Sequence, residues 1–387
     1  MKVKFGIFGF LMIFALLFTT CDFLNGDENN NNGNGTQSGG VEPLIQTKWA
    51  QGDPFNSMLP MVGGILPLAD CSNTAIAQLM KFHGHPIQGS GRSEPYSMNN
   101  GTNLPSMDFN VKYDWRNMLN AYTNNANEQQ RNAVATLVYH IGLSRQFDWS
   151  NNNSVTSVQR ALYSFFGYDK DIQRHYRIYY DDATWETMIK NQLDIGLPIY
   201  YWGTNQTRSS NHTFIIDGYD NIGKYHINWG WNGKDDGYFS LNALNPQNYN
   251  FNYDHTMIIN IKPDKGGIGS NLMALNEITP SEKISVNKNE QFSVTARIRS
   301  MGYFPGGYIG AALIDNDGNM VVIGYVSLVE IHSGNTWLRG ISNCSVPNTV
   351  TPGQYKLKII TRITGEDWKI ITLSMPDVPN SIDFEVK

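Results

Sequence analysis

Cys71, in the stretch "LPLADCSNTAIAQLMKFHGHP", stands directly before a run with helical spacing, where a thiol could act as a nucleophile. Downstream, Ala75, Ile76, Leu79 and Met80 form one apolar helix face, and Gly84 and Pro86 end the helix. Unpaired N–H groups and the positive end of the helix dipole favour thiolate at such a position. The alternative is a buried free cysteine serving as a small hydrophobe. A nucleophilic thiol needs a base, and His212 in "SSNHTFIIDGYDNIGKYHINWGWNGKDDGYFSL" is the candidate. The runs "HTFIIDGY" and "KYHINWGW" flank a Gly-containing turn and read as a β-hairpin centred near residues 220 to 222. If the paired residue numbers sum to an even value, Asn228 projects from the same face as His212 and can hold the imidazole in the tautomer that faces sulfur. Attack on a carbonyl also requires donors for the developing oxyanion. The Cys71 backbone N–H at the helix start is placed to supply one.

Other polar residues have plainer readings. His83 and His85 form an H-x-H pair near a helix end, with no further metal ligands in view, and read as capping or surface histidines. His226 alternates with Asn228 and reads as a packing residue, while "YYW" and "NWGW" read as core. Asp235 and Asp236 read as a turn, with calcium binding the lesser alternative. Asp217 lies an odd number of positions from His212, so a regular strand turns it to the other face. That disfavours a Cys-His-Asp acyltransferase. No cofactor is expected.

These residues need a scaffold, and 387 residues with 41% hydrophobic content suffice for two domains. A net charge of −5 without basic blocks lacks the footprint of a nucleic-acid binder. Lys2 and Lys4 precede an apolar run from Phe5 to Phe18, too short for a membrane span, so residues 1–20 read as a signal peptide. Cys21, after Leu17, Thr19 and Thr20, sits where a bacterial lipoprotein carries its lipidated cysteine. Residues 21–43, rich in Asn and Gly, read as a flexible tether. With Cys21 acylated, Cys71 and Cys344 remain, in different expected domains, and Cys71 is expected to be a free thiol.

Residues 44–263 read as an α+β domain. Val134, Leu137, Val138 and Ile141 mark a helix ending at Gly142, "TWETMIKNQLDIG" a second ending at Gly196, and "LPIYYWG" a buried strand. Residues 271–387 alternate as short strands, as in Phe292, Val294, Ala296 and Ile298, and suggest an all-β, immunoglobulin-like sandwich with a structural or docking role.

Together "QGDPFN", "TAIAQLMKFHGHP", "HTFIIDGYD" and "YHINWGWNGKDDGYFSLNAL" resemble the streptopain family of secreted papain-like cysteine peptidases, over roughly residues 45 to 262. The resemblance implies a papain-like fold, with Cys71 as nucleophile, His212 as general base and acid, and Gln51 as oxyanion donor. It also implies that Asn228 orients the histidine and that Trp229 shields that contact from water. Together with the signal and Cys21, it points to an exported, lipid-anchored endopeptidase at a bacterial cell surface or in the periplasm, acting on protein or peptide substrates through a thioester. An apolar residue is expected on the N-terminal side of the cleaved bond. Three features depart from the family: Asp70 and Asn211 stand where it places Gly, and only the tether lies where its zymogens carry an inhibitory pro-domain. Restraint by a separate inhibitor protein, or no need of restraint, would follow from the third. A catalytically inactive surface binding protein or adhesin is the alternative.

Overall fold

Helix α1, Cys71–His83, begins after the N-cap Asp70 and stops at Gly84, which takes the left-handed conformation at φ 56°. The sequence pattern gave it one apolar face, yet Ser72 through Met80 are all buried. The helix is therefore central, and its polar side chains are paired rather than wetted. The Ser72 and Tyr200 hydroxyls share a hydrogen bond of 2.7 Å, and Thr74 Oγ1 donates to the Asp70 carbonyl at 2.9 Å. Gln78 accepts from Thr47 Oγ1 at 2.8 Å and donates to Asn228 Oδ1 at 3.0 Å.

The computed structural model describes residues 39–280 and 284–387. The signal stretch, Cys21 and most of the expected tether lie outside them. Val41, inside the stretch read as tether, is already docked: its N–H donates to the Tyr219 carbonyl at 2.8 Å. Among the described residues no helix is long and apolar enough to cross a membrane.

Three more helices follow: α2 (Glu128–Ser144), α3 (Val158–Phe165) and α4 (Asp182–Asp194). Gly142 does not end α2, which continues to Ser144. A Cβ there would lie 2.3 Å from the Trp149 ring, so close packing explains the glycine.

An antiparallel sheet is built from β1 (Gln173–Tyr176), β2 (Ile199–Thr204), β3 (Asn211–Tyr219), β4 (Tyr225–Asn228), β5 (Gly237–Phe239) and β6 (Tyr253–Ile259). Its strand order is β1-β6-β2-β3-β4-β5. Alternation splits its side chains between two cores. Tyr200, Ile215 and Ile258 face α1 and α2, whereas Tyr201, Phe214, Ile216 and Met257 pack with Trp185 and Ile189 of α4. This half of the molecule thus combines helices with a mixed-burial sheet, the α+β arrangement expected.

Beyond residue 270 the chain forms two further sheets. One orders Thr336–Ser345, Gln291–Ser300, Met273–Pro280 and Leu373–Ser374; the other includes Ile382–Val386, Gly353–Ile363, Gly307–Ile314 and Met320–Leu328. Inward residues of both, among them Val294, Ile298, Leu313 and Ile359, belong to one buried cluster. Cys344 is buried there and Cys71 lies elsewhere, both as free thiols.

Candidate active site

Cys71 is the first residue of α1, half-buried, and its thiol rests against the backbone and hydroxyl of Thr213 on β3. Thr213 directly follows His212, so the strand brings cysteine and histidine to adjacent backbone positions. Cys71 and Thr213 line a cavity of about 510 Å³, together with Tyr200 and Trp202. His212 lines another of about 370 Å³, together with Trp231, Tyr249 and Phe251, and Asn211 borders both.

The imidazole is buried among aromatic rings, with Trp231 at 4.7 Å and Phe251 at 5.4 Å between centroids. Its Nε2 lies 2.8 Å from the Trp229 carbonyl oxygen. A carbonyl can only accept, so Nε2 carries the proton and Nδ1 keeps its lone pair. Burial pushes the ring's pKa down to about 4 and holds it neutral, against the opposing pull of the Trp229 carbonyl. Trp229 itself is fully buried and donates from its indole to the Asp235 carbonyl at 3.1 Å.

Asn228 does not orient His212, contrary to the expectation from the hairpin. Its Oδ1 accepts from Gln78 Nε2 at 3.0 Å and from the Gly230 N–H at 3.1 Å, and its Nδ2 donates to the Thr47 carbonyl at 2.8 Å. All these partners lie on the α1 side of the sheet. The cause is a one-residue bulge in β3 between Ile216 and Gly218. Near the turn the pairs Tyr219↔Tyr225 and Gly218↔His226 sum to an even value, but past the bulge Ile216↔Ile227 and Ile215↔Asn228 sum to an odd one. A single inserted residue exchanges the faces of everything upstream. His212 therefore shares a face with Trp229 and Trp231, and a backbone carbonyl occupies the role assigned to a carboxamide.

The bulge is fixed by distant contacts. Asp217, the extra residue, is fully buried, accepting from the Ile45 N–H at 2.8 Å and contacting His226 Nδ1 at 2.7 Å. At Gly218 a Cβ would meet the Val41 carbonyl oxygen at 2.6 Å. Val41–Leu44 thus packs where a side chain would otherwise stand.

Asp70 occupies a backbone conformation of φ 75° and ψ 140°, in the positive-φ range suited to glycine. Such a conformation costs on the order of 1–3 kcal/mol for other residues. The side chain offsets part of this as the N-cap, Oδ1 accepting from Ser72 N–H at 3.0 Å and Asn73 N–H at 3.2 Å. Arg145, nearly buried, lies 3.8 Å from the carboxylate and donates to Asn73 Oδ1 at 2.6 Å. Burial raises the Asp70 pKa and Arg145 opposes it. The thiol is pushed up to about 12, first by burial and then by the neighbouring Asp70 carboxylate, whose Oδ2 is 3.9 Å from sulfur. Burial thus favours the uncharged form of both the thiol and the imidazole.

Asp70→Asn keeps an acceptor for the cap and tolerates positive φ, but removes the charge. The thiol pKa should fall, placing more thiolate at any given pH. Iodoacetamide alkylation of Cys71 at pH 8 is expected to accelerate about three- to tenfold, one pKa unit being tenfold. An unshifted pH profile would show that the charge does not reach the sulfur.

Gln51 is carried to the same helix end: its carbonyl accepts from the Ala69 N–H at 2.8 Å, two residues before Cys71. With Ser72 and Asn73 N–H taken by Asp70 Oδ1 and Thr74 N–H by the Asp70 carbonyl, the Cys71 N–H has no acceptor among the described residues. The histidines outside the site pack: His83 contacts the Tyr168 hydroxyl at 3.3 Å, and His85 the Gly167 carbonyl at 2.9 Å. Asp236 turns inward to accept from the Trp229 N–H at 2.9 Å. Two residues, Thr213 against the thiol and Arg145 against Asp70, escaped the sequence reading. Thr213 was recoverable from strand alternation had the bulge been known; Arg145 carries no local signal.

Residues 49–239 match the peptidase C10 family. Streptopain of Streptococcus pyogenes is 31% identical over 253 residues, covering 58% of this chain and 63% of streptopain. The chain thus spans less than two thirds of the length of that relative. The thiol protease/hemagglutinin PrtT of Porphyromonas gingivalis is 30% identical, over 58% of this chain and 28% of PrtT. The solved structure of active wild-type interpain A cysteine protease from Prevotella intermedia is similar with a TM-score of 0.52 at 32% identity, covering 59% of this chain and 98% of that one.

Proposed function

Since the chain belongs to the peptidase C10 family, we propose that it is an exported cysteine endopeptidase that hydrolyses peptide bonds at Cys71. The observation that carries this reading is the placement of the thiol on Thr213, next to a histidine whose Nε2–H is held by Trp229 and whose Nδ1 is left as a base. In the reaction Sγ attacks the carbonyl carbon and its proton passes to His212 Nδ1, thiol and ring meeting at the junction of their two cavities, which Asn211 borders on both sides. Coupling the two events suits a pair that is neutral at rest. The Cys71 N–H and the Gln51 carboxamide receive the oxyanion. Collapse breaks the C–N bond, Nδ1 returns the proton to the departing amine, and a thioester remains. Water deprotonated by Nδ1 then attacks the thioester, releasing the acid and restoring the thiol. Trp229 positions the imidazole through its carbonyl and keeps water from that contact with its indole.

Export through the N-terminal signal and lipidation at Cys21 place the enzyme on a bacterial membrane, held out by the tether. The two C-terminal sheets, joined by one buried cluster, support the reading of residues 271–387 as an immunoglobulin-like β-sandwich. Incubation with an epoxide inhibitor selective for papain-like thiols is expected to modify Cys71 in peptide mapping and to stop hydrolysis of unfolded protein. An unmodified Cys71 together with no hydrolysis would refute the peptidase.

A further inference from the structure

The cavity that holds Cys71 is not closed by the peptidase half alone. Ser333, Gly334 and Asn335, from the loop before the strand Thr336–Ser345, line it as well. That loop is fixed in place. Gln159 Nε2 donates to Ser333 Oγ at 2.8 Å, and Ser333 Oγ donates to the Met301 carbonyl at 2.9 Å. The Gly334 N–H donates to the Ser300 carbonyl at 2.7 Å, with φ at 88°. A Cβ at Gly334 would come within 3.1 Å of the Tyr176 hydroxyl, so the wall stands against β1 with no room between.

Arg174 of β1 lines the same cavity. Its Nη2 donates to Gln159 Oε1 at 3.1 Å, which ties it to the residue that holds Ser333. Its Nε is buried without a hydrogen-bond partner, and among the described residues no carboxylate lies within ion-pairing distance of it. The cavity's other charges, Asp70 and Arg145, face each other. Arg174 is therefore a cation without a counter-charge in a cleft that contains the nucleophile. A guanidinium so placed favours a carboxylate, with hydrogen bonding added to charge.

The side of the scissile bond follows from the chemistry. His212 returns its proton to the leaving amine, so the leaving group lies in the His212 cavity and the acyl portion in the Cys71 cavity. We propose that the C-terminal sheets complete the substrate cleft, the Ser333–Asn335 loop and Arg174 forming a subsite for an acidic side chain on the N-terminal side of the cleaved bond. The orientation rests on the peptidase reading above; the carboxylate preference is also a matter of binding. The apolar residue expected beside the bond and this acidic one occupy different positions.

The test is a set of fluorogenic peptides carrying Glu or Gln at each position upstream of the bond. Hydrolysis is measured with the wild-type chain, and binding with Cys71→Ala by fluorescence anisotropy. At one upstream position the Glu peptide is expected to exceed the Gln peptide about tenfold in kcat/KM and in affinity at low salt, and to lose most of that margin in 1 M NaCl. Arg174→Gln should bring the ratio to about one. So should Asn335→Asp, which adds a carboxylate to an exposed loop residue of the C-terminal sheets without touching the core. Hydrolysis with no Glu preference at any position overturns the subsite and leaves the peptidase standing. Preferential Glu binding without hydrolysis does the reverse. Neither binding nor hydrolysis overturns both.

Discussion

Cys71→Ala is expected to lower kcat/KM on a fluorogenic peptide by about 10⁴-fold or more, and His212→Ala by a comparable factor. Without sulfur there is no thioester route, and without Nδ1 the thiol keeps its proton, because burial has pushed its pKa up to about 12. What survives in either variant is the contribution of oxyanion donors and substrate binding. The two groups act in one step, so the double variant should be little worse than either single one. Additive losses would mean that sulfur and imidazole serve separate steps. A Cys71→Ala chain that hydrolyses at the wild-type rate would remove Cys71 as the nucleophile. Denaturant melts of each variant separate lost chemistry from lost fold.

Asn228→Ala is expected to damage stability far more than chemistry. Truncation leaves Gln78 Nε2, the Thr47 carbonyl and the Gly230 N–H without their partner, all on buried or nearly buried residues. At about 1–3 kcal/mol for each orphaned group, with partial relaxation, the loss should be about 3 kcal/mol, read as a lower denaturant midpoint at unchanged slope. Measured well below the unfolding transition, kcat should fall less than tenfold and the pH profile should stay in place, since no atom of Asn228 bonds the imidazole. If Asn228 instead held His212, kcat would drop about 10²-fold or more and the profile would move, as removing a group that sets a catalytic tautomer does. The stable-but-slow result would therefore refute the geometry described, and the unstable-but-fast one supports it.

Much of the site is written locally. The start of α1 at Cys71 and its end at Gly84 follow from apolar spacing and a residue able to take positive φ. The strand character of "HTFIIDGY" and "KYHIN" follows from aromatic and β-branched content on either side of a tight turn. These features use contacts a few residues apart, which is why a single chain reveals them. The burial of Ser72, Asn73 and Gln78 is different. Polar residues at helical spacing read as a solvated face, and only partners from β2, the residue after α2 and the segment before Phe55 make them interior.

Which face of β3 carries His212 could not be read locally, because sheet alternation has period two and one extra residue reverses it. That extra residue, Asp217, is held by Ile45, 172 positions away, and Gly218 admits the Val41 backbone. The same holds for Gly142, whose missing side chain is explained by Trp149 and not by the end of a helix. It holds again for the cleft wall contributed by Ser333–Asn335. By itself the sequence determined which residues could do chemistry and the elements that carry them. The tertiary structure decided which atom holds the imidazole and what closes the cleft, since both depend on contacts between segments that have no neighbourhood along the chain.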